Sequence, residues 1–358
     1  MMKNPSFCYK FYWLEALVRL VNEGKTETTF DEIIDRMIVS AWYTVTEFHI
    51  HLSGIVSGEV RDGLERTVDK LQTISGLQSN ADKDLILRAL KDHAAEIRKE
   101  KSQLTNMVPY RALAGFLGPG VNWENSTRLI AYIREFDRER KMLPYVLGGS
   151  SGLGREVYIS PSWAAFINDN TVAIMGWISY EKLKWLQSVN PEVPGLVYKL
   201  SHPDEKNRKL NGVHKLWDKI METSPVLDVF TGRRIDPADY AVDHFIPWSF
   251  VMNDEVWNLS PMDPSLNSAK SNRLPEWEPF FDSFARNQYL MYSLIFEAPF
   301  RKLFTDLYKD NLHSIWASTD LYRPGNSEER FRNILSDNMR PVYDSARRQG
   351  YELWKITG

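Results

Sequence analysis

One cysteine, Cys8, stands in a chain of 358 residues. No intrachain disulfide can exist, and no zinc site built on pairs of cysteine thiolates can hold any part of the chain together. Burial of apolar surface must therefore stabilise whatever this chain folds into. The composition is sufficient for that: 43% of the residues are apolar and 13% aromatic, twelve of them tryptophan. At this length a prior of about 150 residues per domain predicts roughly two or three domains.

Periodicity predicts an α+β protein that is mainly helical. Residues 1–118 read as helical: "FYWLEALVRLV" places apolar residues at helical spacing, and Thr29-x-x-Glu32 ahead of "IIDRMIVSAW" reads as a capping box, so a helix is expected to start near Thr29. Further helices are expected over "DGLERTVDKLQTI" and over the long charged stretch "NADKDLILRALKDHAAEIRKEKSQL". Residues 119–221 read as mixed, with "VYI" and "VAIMGWI" as alternating strand-like segments and a soft boundary near 200–222. Residues 222–275 stand apart as a compact motif region. Residues 276–358 return to an aromatic-rich helical pattern, as in "PFFDSFARNQYLMYSLIFEAPF".

Several tempting features carry plain readings. "LGGSSGLGRE" is glycine-rich, but Gly149 and Gly154 lead into Arg155 and Glu156 where a phosphate loop needs Lys and then Ser or Thr, so a turn is expected. His49 and His51 would share a face if extended, yet no acidic or thiol cluster accompanies them, and a structural role is expected. Cys8 sits in an aromatic run without a nearby base and reads as a buried thiol. No stretch approaches the ~18 to 20 apolar residues of a membrane span, and "MMKNPSFCYKFYW" lacks an apolar run before a cleavage site, so a cytoplasmic protein with no membrane partner is expected. Forty-four basic against forty-seven acidic residues leave a net charge of −3, so nucleic acid would have to be met by a local patch. Lys206, Arg208, Lys209, Lys215 and Lys219 are the first choice for it, diluted by Asp204, Glu205 and Asp218.

The motif region contains "VDHFIPWSFVMNDEVWNLSPMDPSLNSAKSNRLP", in which Asp243 and His244 are followed by Asn258 and Asn267. Phosphodiester hydrolysis needs a divalent cation to neutralise charge and a base to take a proton from water, and an adjacent Asp and His offer both. Neighbours on an extended strand point to opposite faces, which would separate the two jobs. "TGRRI" and "VWNL" suit two short strands around a loop at 247–255, and "DPSLNSAKSNR" has the polar start of a short helix that would carry Asn267. An amide oxygen is a hard donor suited to magnesium, which keeps most of its waters.

Taken together, the Asp-His pair, both Asn spacings, the "IPWSF" loop and "N-x-x-K-S-x-R-L-P" resemble an HNH endonuclease domain of the ββα-metal class, in the variant whose last histidine is asparagine. The resemblance covers about 50 residues. It implies Asp243 and Asn267 as ligands of Mg²⁺ or Mn²⁺, His244 as general base, and Asn258 as the residue that holds the motif loop and so positions the base. It also implies phosphate contacts from Lys270 and Arg273, although basic residues in the last turn of a helix have ordinary dipole reasons to be there. Many such domains carry a structural zinc on two Cys-x-x-Cys pairs. The corresponding positions here are Leu227, Phe230, Asp263 and Leu266, so no structural zinc is expected; Asp263 is also weighed as an auxiliary metal ligand, and Ser271 lies where some members carry a further histidine.

The function expected from this resemblance is metal-dependent cleavage of DNA, in defence against foreign DNA, with a defence-system protein or a second copy of the chain as further partner. The competing expectation is a catalytically silent DNA-binding or scaffold subunit that keeps the hairpin; cleavage of structured RNA is a third.

Overall fold

The computed structural model describes residues 8–56, 59–60, 62–106, 108–118, 121, 123, 126–200 and 208–356. They fall into two compact units, Met1–Pro191 with Leu196–His202, and Glu192–Gly195 with Pro203–Gly358. The division falls inside the segment 119–221, near the start of the soft boundary at 200–222.

In the first unit, helices Tyr9–Asn22 and Phe30–Thr46 form the centre. The second begins where its cap dictates: Thr29 Oγ1 accepts the Glu32 amide at 3.3 Å. Strand Glu27–Thr29 pairs antiparallel with Glu156–Ile159, which pairs in turn with Tyr145–Leu147. That three-stranded sheet joins residues 27–29 to residues 145–159. Trp13 fills the core between Phe30, at 5.6 Å between ring centroids, and Tyr145, whose hydroxyl accepts from Trp13 Nε1 at 3.2 Å. Cys8 is buried, and burial, reinforced by the nearby Asp62 carboxylate, pushes its thiol well above the ordinary range, as suits an inert core sulfur.

Two segments differ from the expectation. "VAIMGWI" lies inside helix Thr171–Val189 and is no strand. Seven apolar residues in a row have no readable period; the length of the element and the helix before it, Pro161–Asp169, capped by Ser160 Oγ with Pro161 in its first turn, decide the matter. The charged stretch is two helices, Lys83–Asp92 and Arg98–Leu104. Neither Gly nor Pro marks the break. The second helix is held instead by Lys101, almost fully buried, whose ammonium lies 2.5 Å from both Asp31 and Asp35.

The second unit is built on helices Asn211–Thr223, Trp277–Leu294, Phe300–Asn311 and Glu328–Arg348. Helices Asn211–Thr223 and Phe300–Asn311 touch at Gly212, where a Cβ would come within 2.5 Å of Leu307. A parallel strand pair, Leu274–Pro275 with Leu353–Trp354, returns the C-terminal segment to the end of the motif region. Among the described residues no helix is long and apolar enough to cross a membrane.

Candidate active site

The motif region forms an antiparallel strand pair followed by a short helix. Strand Ala241–His244 pairs with Leu259–Met262, Asp243 opposite Ser260 and His244 opposite Leu259. Helix Pro264–Lys270 follows and packs on the first strand. The strands are not where "TGRRI" and "VWNL" would put them. "TGRRI" is a tight turn with Gly232 at φ +66°, joined to the chain by one bridge between Leu227 and Arg234, and Val256–Asn258 is a single 3-10 turn. Five-residue runs at a turn are too short for alternation to distinguish strand from turn.

Alternation along the first strand separates the two neighbours as the pleat requires: Asp243 keeps 18% side-chain exposure, whereas His244 is 2% exposed. Phe245, next in sequence, locks the strand end among Trp277, Phe281 and Phe284.

Asn258 is fully buried, and both atoms of its amide bond the chain. Its Oδ1 accepts the Ile246 amide and its Nδ2 donates to the Ile246 carbonyl, both at 2.8 Å, while its own carbonyl accepts the Phe245 amide at 2.8 Å. These three bonds close the loop from 245 to 258 on itself. The Asn258 side chain holds the residues that follow His244 and, fully enclosed, is out of a substrate's reach.

Lys270 is also fully buried. Its ammonium donates to the His244 carbonyl at 2.7 Å and lies 2.8 Å from Asp243 Oδ2. A phosphate cannot reach an ammonium enclosed in this way, so the phosphate contact expected of Lys270 gives way to a tether between helix and strand. Arg273 folds back onto the end of the same helix, its guanidinium on the carbonyls of Lys270, at 3.3 Å, and Ala269. That is the dipole-type contact of a helix C-terminus.

Asn267 lies half-buried on the helix, and its carboxamide makes no hydrogen bond among the described residues. Asp243 Oδ1 is likewise unused. Among the described residues no group of three or more His, Cys, Asp and Glu side chains could enclose a metal ion. The two ligands that the resemblance implies each keep an oxygen that the packing leaves unused. Such a hard, sparse set fits a divalent ion that retains most of its water, as magnesium does.

The basic cluster is weaker than its sequence. Lys206 lies outside the described residues. Arg208 stacks over Trp248 of the "IPWSF" loop at 4.8 Å, Lys209 pairs with Asp310 at 2.6 Å, and Lys219 pairs with Glu222.

Two acidic residues that no spacing rule singled out organise the site. Asp228, almost fully buried, takes the amides of Phe230 and Thr231 and the Thr231 hydroxyl on Oδ1, and the Asp263 amide on Oδ2 at 3.0 Å. It thereby joins the turn that bears Leu227 and Phe230 to the start of the helix that bears Asp263 and Leu266. Phe230 packs against Phe280 and Trp354, and Asn287 Nδ2 donates to the Leu227 carbonyl at 2.7 Å. Asp263 Oδ1 caps the motif helix through the Ser265 and Leu266 amides, and the hydrogen bonds from Ser265 and Leu266 hold its carboxyl below the ordinary range. The second organising residue is Asp254, whose Oδ1 lies 3.1 Å from His244 Nε2.

Comparison with known proteins gives one match: residues 228–276 fit a family model described as HNH endonuclease. No curated protein and no solved structure matches the chain. The matched segment begins at the Asp228 clamp and ends just after the strand that follows the motif helix, so it coincides with the whole unit just described. Residues 228–276 are thus similar to the HNH endonuclease family, and the likeness covers this segment of the chain.

Proposed function

We propose that this protein is an endonuclease that hydrolyses phosphodiester bonds in DNA, and that its strand pair and helix act as a ββα-metal unit. The observation that supports the reading best is the matched segment 228–276, inside which the packing leaves unused the groups that hydrolysis would need: Asp243 Oδ1, the Asn267 carboxamide and one nitrogen of His244. Asp243 and Asn267 would hold Mg²⁺ or Mn²⁺. Bound there, the ion would neutralise charge developing on the phosphate and the leaving oxygen. Lys270 keeps Asp243 turned outward by occupying only Oδ2, and Asn258 keeps the loop after His244 closed. His244 accepts the proton of the attacking water. One module cuts one strand, so a double-strand break takes a second copy or a second event. Defence against foreign DNA belongs to the same proposal and rests on the family resemblance; protection of cells in a plaque assay, lost with His244→Ala, is its test.

The burial of His244 favours a second reading, a subunit that binds DNA without cutting it. Supercoiled plasmid incubated with the purified chain separates the two. Nicking with Mg²⁺, absent with chelator and reduced by roughly 10² to 10⁴ in His244→Ala, is expected. Plasmid that is bound and left intact by the wild type would select the second reading.

A further inference from the structure

His244 Nε2 faces two acceptors. Its N–H is directed at the Asn253 carbonyl at 3.1 Å, and Asp254 Oδ1 lies at the same distance, off that direction and without a hydrogen bond of its own. A ring nitrogen between a carbonyl and a carboxylate must carry the proton, so a neutral imidazole has its lone pair on Nδ1. That nitrogen has no hydrogen-bond partner among the described residues and is not one of the enclosed polar atoms.

Asp254 is itself tightly held. Its Oδ2 accepts the Lys209 amide at 2.8 Å, and its carbonyl accepts Asn311 Nδ2 at 2.8 Å, the same amide that donates to the Lys209 carbonyl at 2.9 Å. Met252, at φ +55°, turns the chain so that 253 and 254 come back over the histidine. Burial by itself would raise the Asp254 carboxyl, but His244 and the Lys209 amide outweigh it and hold the group below its ordinary range. A carboxylate 8% exposed, with one oxygen fully bonded and the other beside an imidazole, is a costly arrangement for packing alone.

We propose that Asp254 is a positioning residue: its carboxylate orients the His244 imidazole with Nε2 as donor, presents Nδ1 as the acceptor for the water proton, and steadies the positive charge the ring gains on accepting it. The inference rests on the reading of His244 as general base. It also gives the docked stretch 208–210 a task, since the Lys209 amide secures the oxygen that does not face the ring.

Asp254→Asn is the discriminating variant, because an amide oxygen still accepts the Lys209 N–H and the side chain keeps its shape. A role limited to anchoring 208–210 survives this change; a role for the charge does not. On a defined duplex with Mg²⁺, Asp254→Asn is expected to lose roughly 10- to 10²-fold in kcat with KM and melting temperature unchanged, less than full loss of a base because Asn253 still accepts from Nε2. Full kcat in Asp254→Asn alongside an inactive His244→Ala overturns the proposal and leaves the base assignment standing. Wild-type cleavage by His244→Ala overturns both. Imidazole ¹⁵N spectra of the full chain at about pH 8, above the ordinary histidine range, test the geometry without cleavage. A proton on Nε2 and none on Nδ1 of His244 is expected, and the opposite tautomer overturns the proposal.

Discussion

Each unit contains a lysine buried against a carboxylate, and the two pairs are built differently. In the first unit Lys182 lies 2.7 Å from Glu15 Oε2, both nearly buried, and Glu15 Oε1 is taken by Arg19 and Ser40. Burial opposes ionisation of Glu15, yet Lys182 and Arg19 prevail and hold its carboxyl below the ordinary range. Every oxygen is satisfied, and Lys182 also stands over the Tyr12 ring at 4.6 Å. In the second unit Lys270 takes one oxygen of Asp243 and the His244 carbonyl, and the other oxygen stays open at a partly exposed position. A closed pair connects elements of the fold; a half-closed pair fixes a carboxylate in one orientation and leaves it something to bind. The distinction is one of unused valence, since the ion-pair distances are nearly equal.

The largest effect that could break this comparison is on cleavage. Asp243→Ala is expected to reduce it by at least about 10²-fold, the scale of several kcal/mol of lost charge stabilisation, with part of the rate recovered by excess Mg²⁺ or by Mn²⁺ through mass action. It also strands Lys270, so adding Lys270→Met should restore stability and not cleavage. Recovery of the rate in that double variant would mean the open oxygen has no function.

Lys182→Met tests the closed pair. Removing one partner of a buried pair is expected to cost about 3–5 kcal/mol, visible as a fall in denaturation midpoint, and Glu15→Gln with Lys182→Met should recover most of it. A midpoint unchanged by Lys182→Met would show that the saturated network adds nothing to the fold.

Another buried lysine supplies a pH test. Burial pushes the Lys199 ammonium down to about 7 from its ordinary 10.5. Between those values the unfolded chain binds more protons than the folded one, so stability rises with pH across that window, and the cost of the buried charge is fully present below it. Lys199→Met should flatten that rise in chemical denaturation at pH 7 and pH 10. A slope that survives the substitution assigns it to other groups.

The smallest effect concerns DNA binding. With Lys209 paired to Asp310, Lys209→Ala is expected to flatten the salt dependence of binding by at most about one unit, uniformly across DNA sequences. A slope loss of two or more would mean that the pair opens onto DNA and that the cluster is a true phosphate surface.

The sequence determined the helical character of the chain, the start of the helix at Phe30, the absence of disulfides, and the presence and order of the HNH motif, because each is written in local spacing: a cap three residues from its partner, a period of 3.6, one cysteine, an Asp-His pair with two asparagines behind it. Tertiary structure alone decided the rest. Whether "VAIMGWI" is helix or strand depends on the elements around it. Whether Lys270 meets phosphate or Asp243 depends on which face of a seven-residue helix is enclosed. Asp228 and Asp254 work by joining segments 35 and 10 residues away, and a carboxylate's partners at such distances are set by how the chain turns back on itself. Local pattern carries the identity of hydrogen-bonding groups; only the packed chain decides which of them are satisfied and which remain open for chemistry.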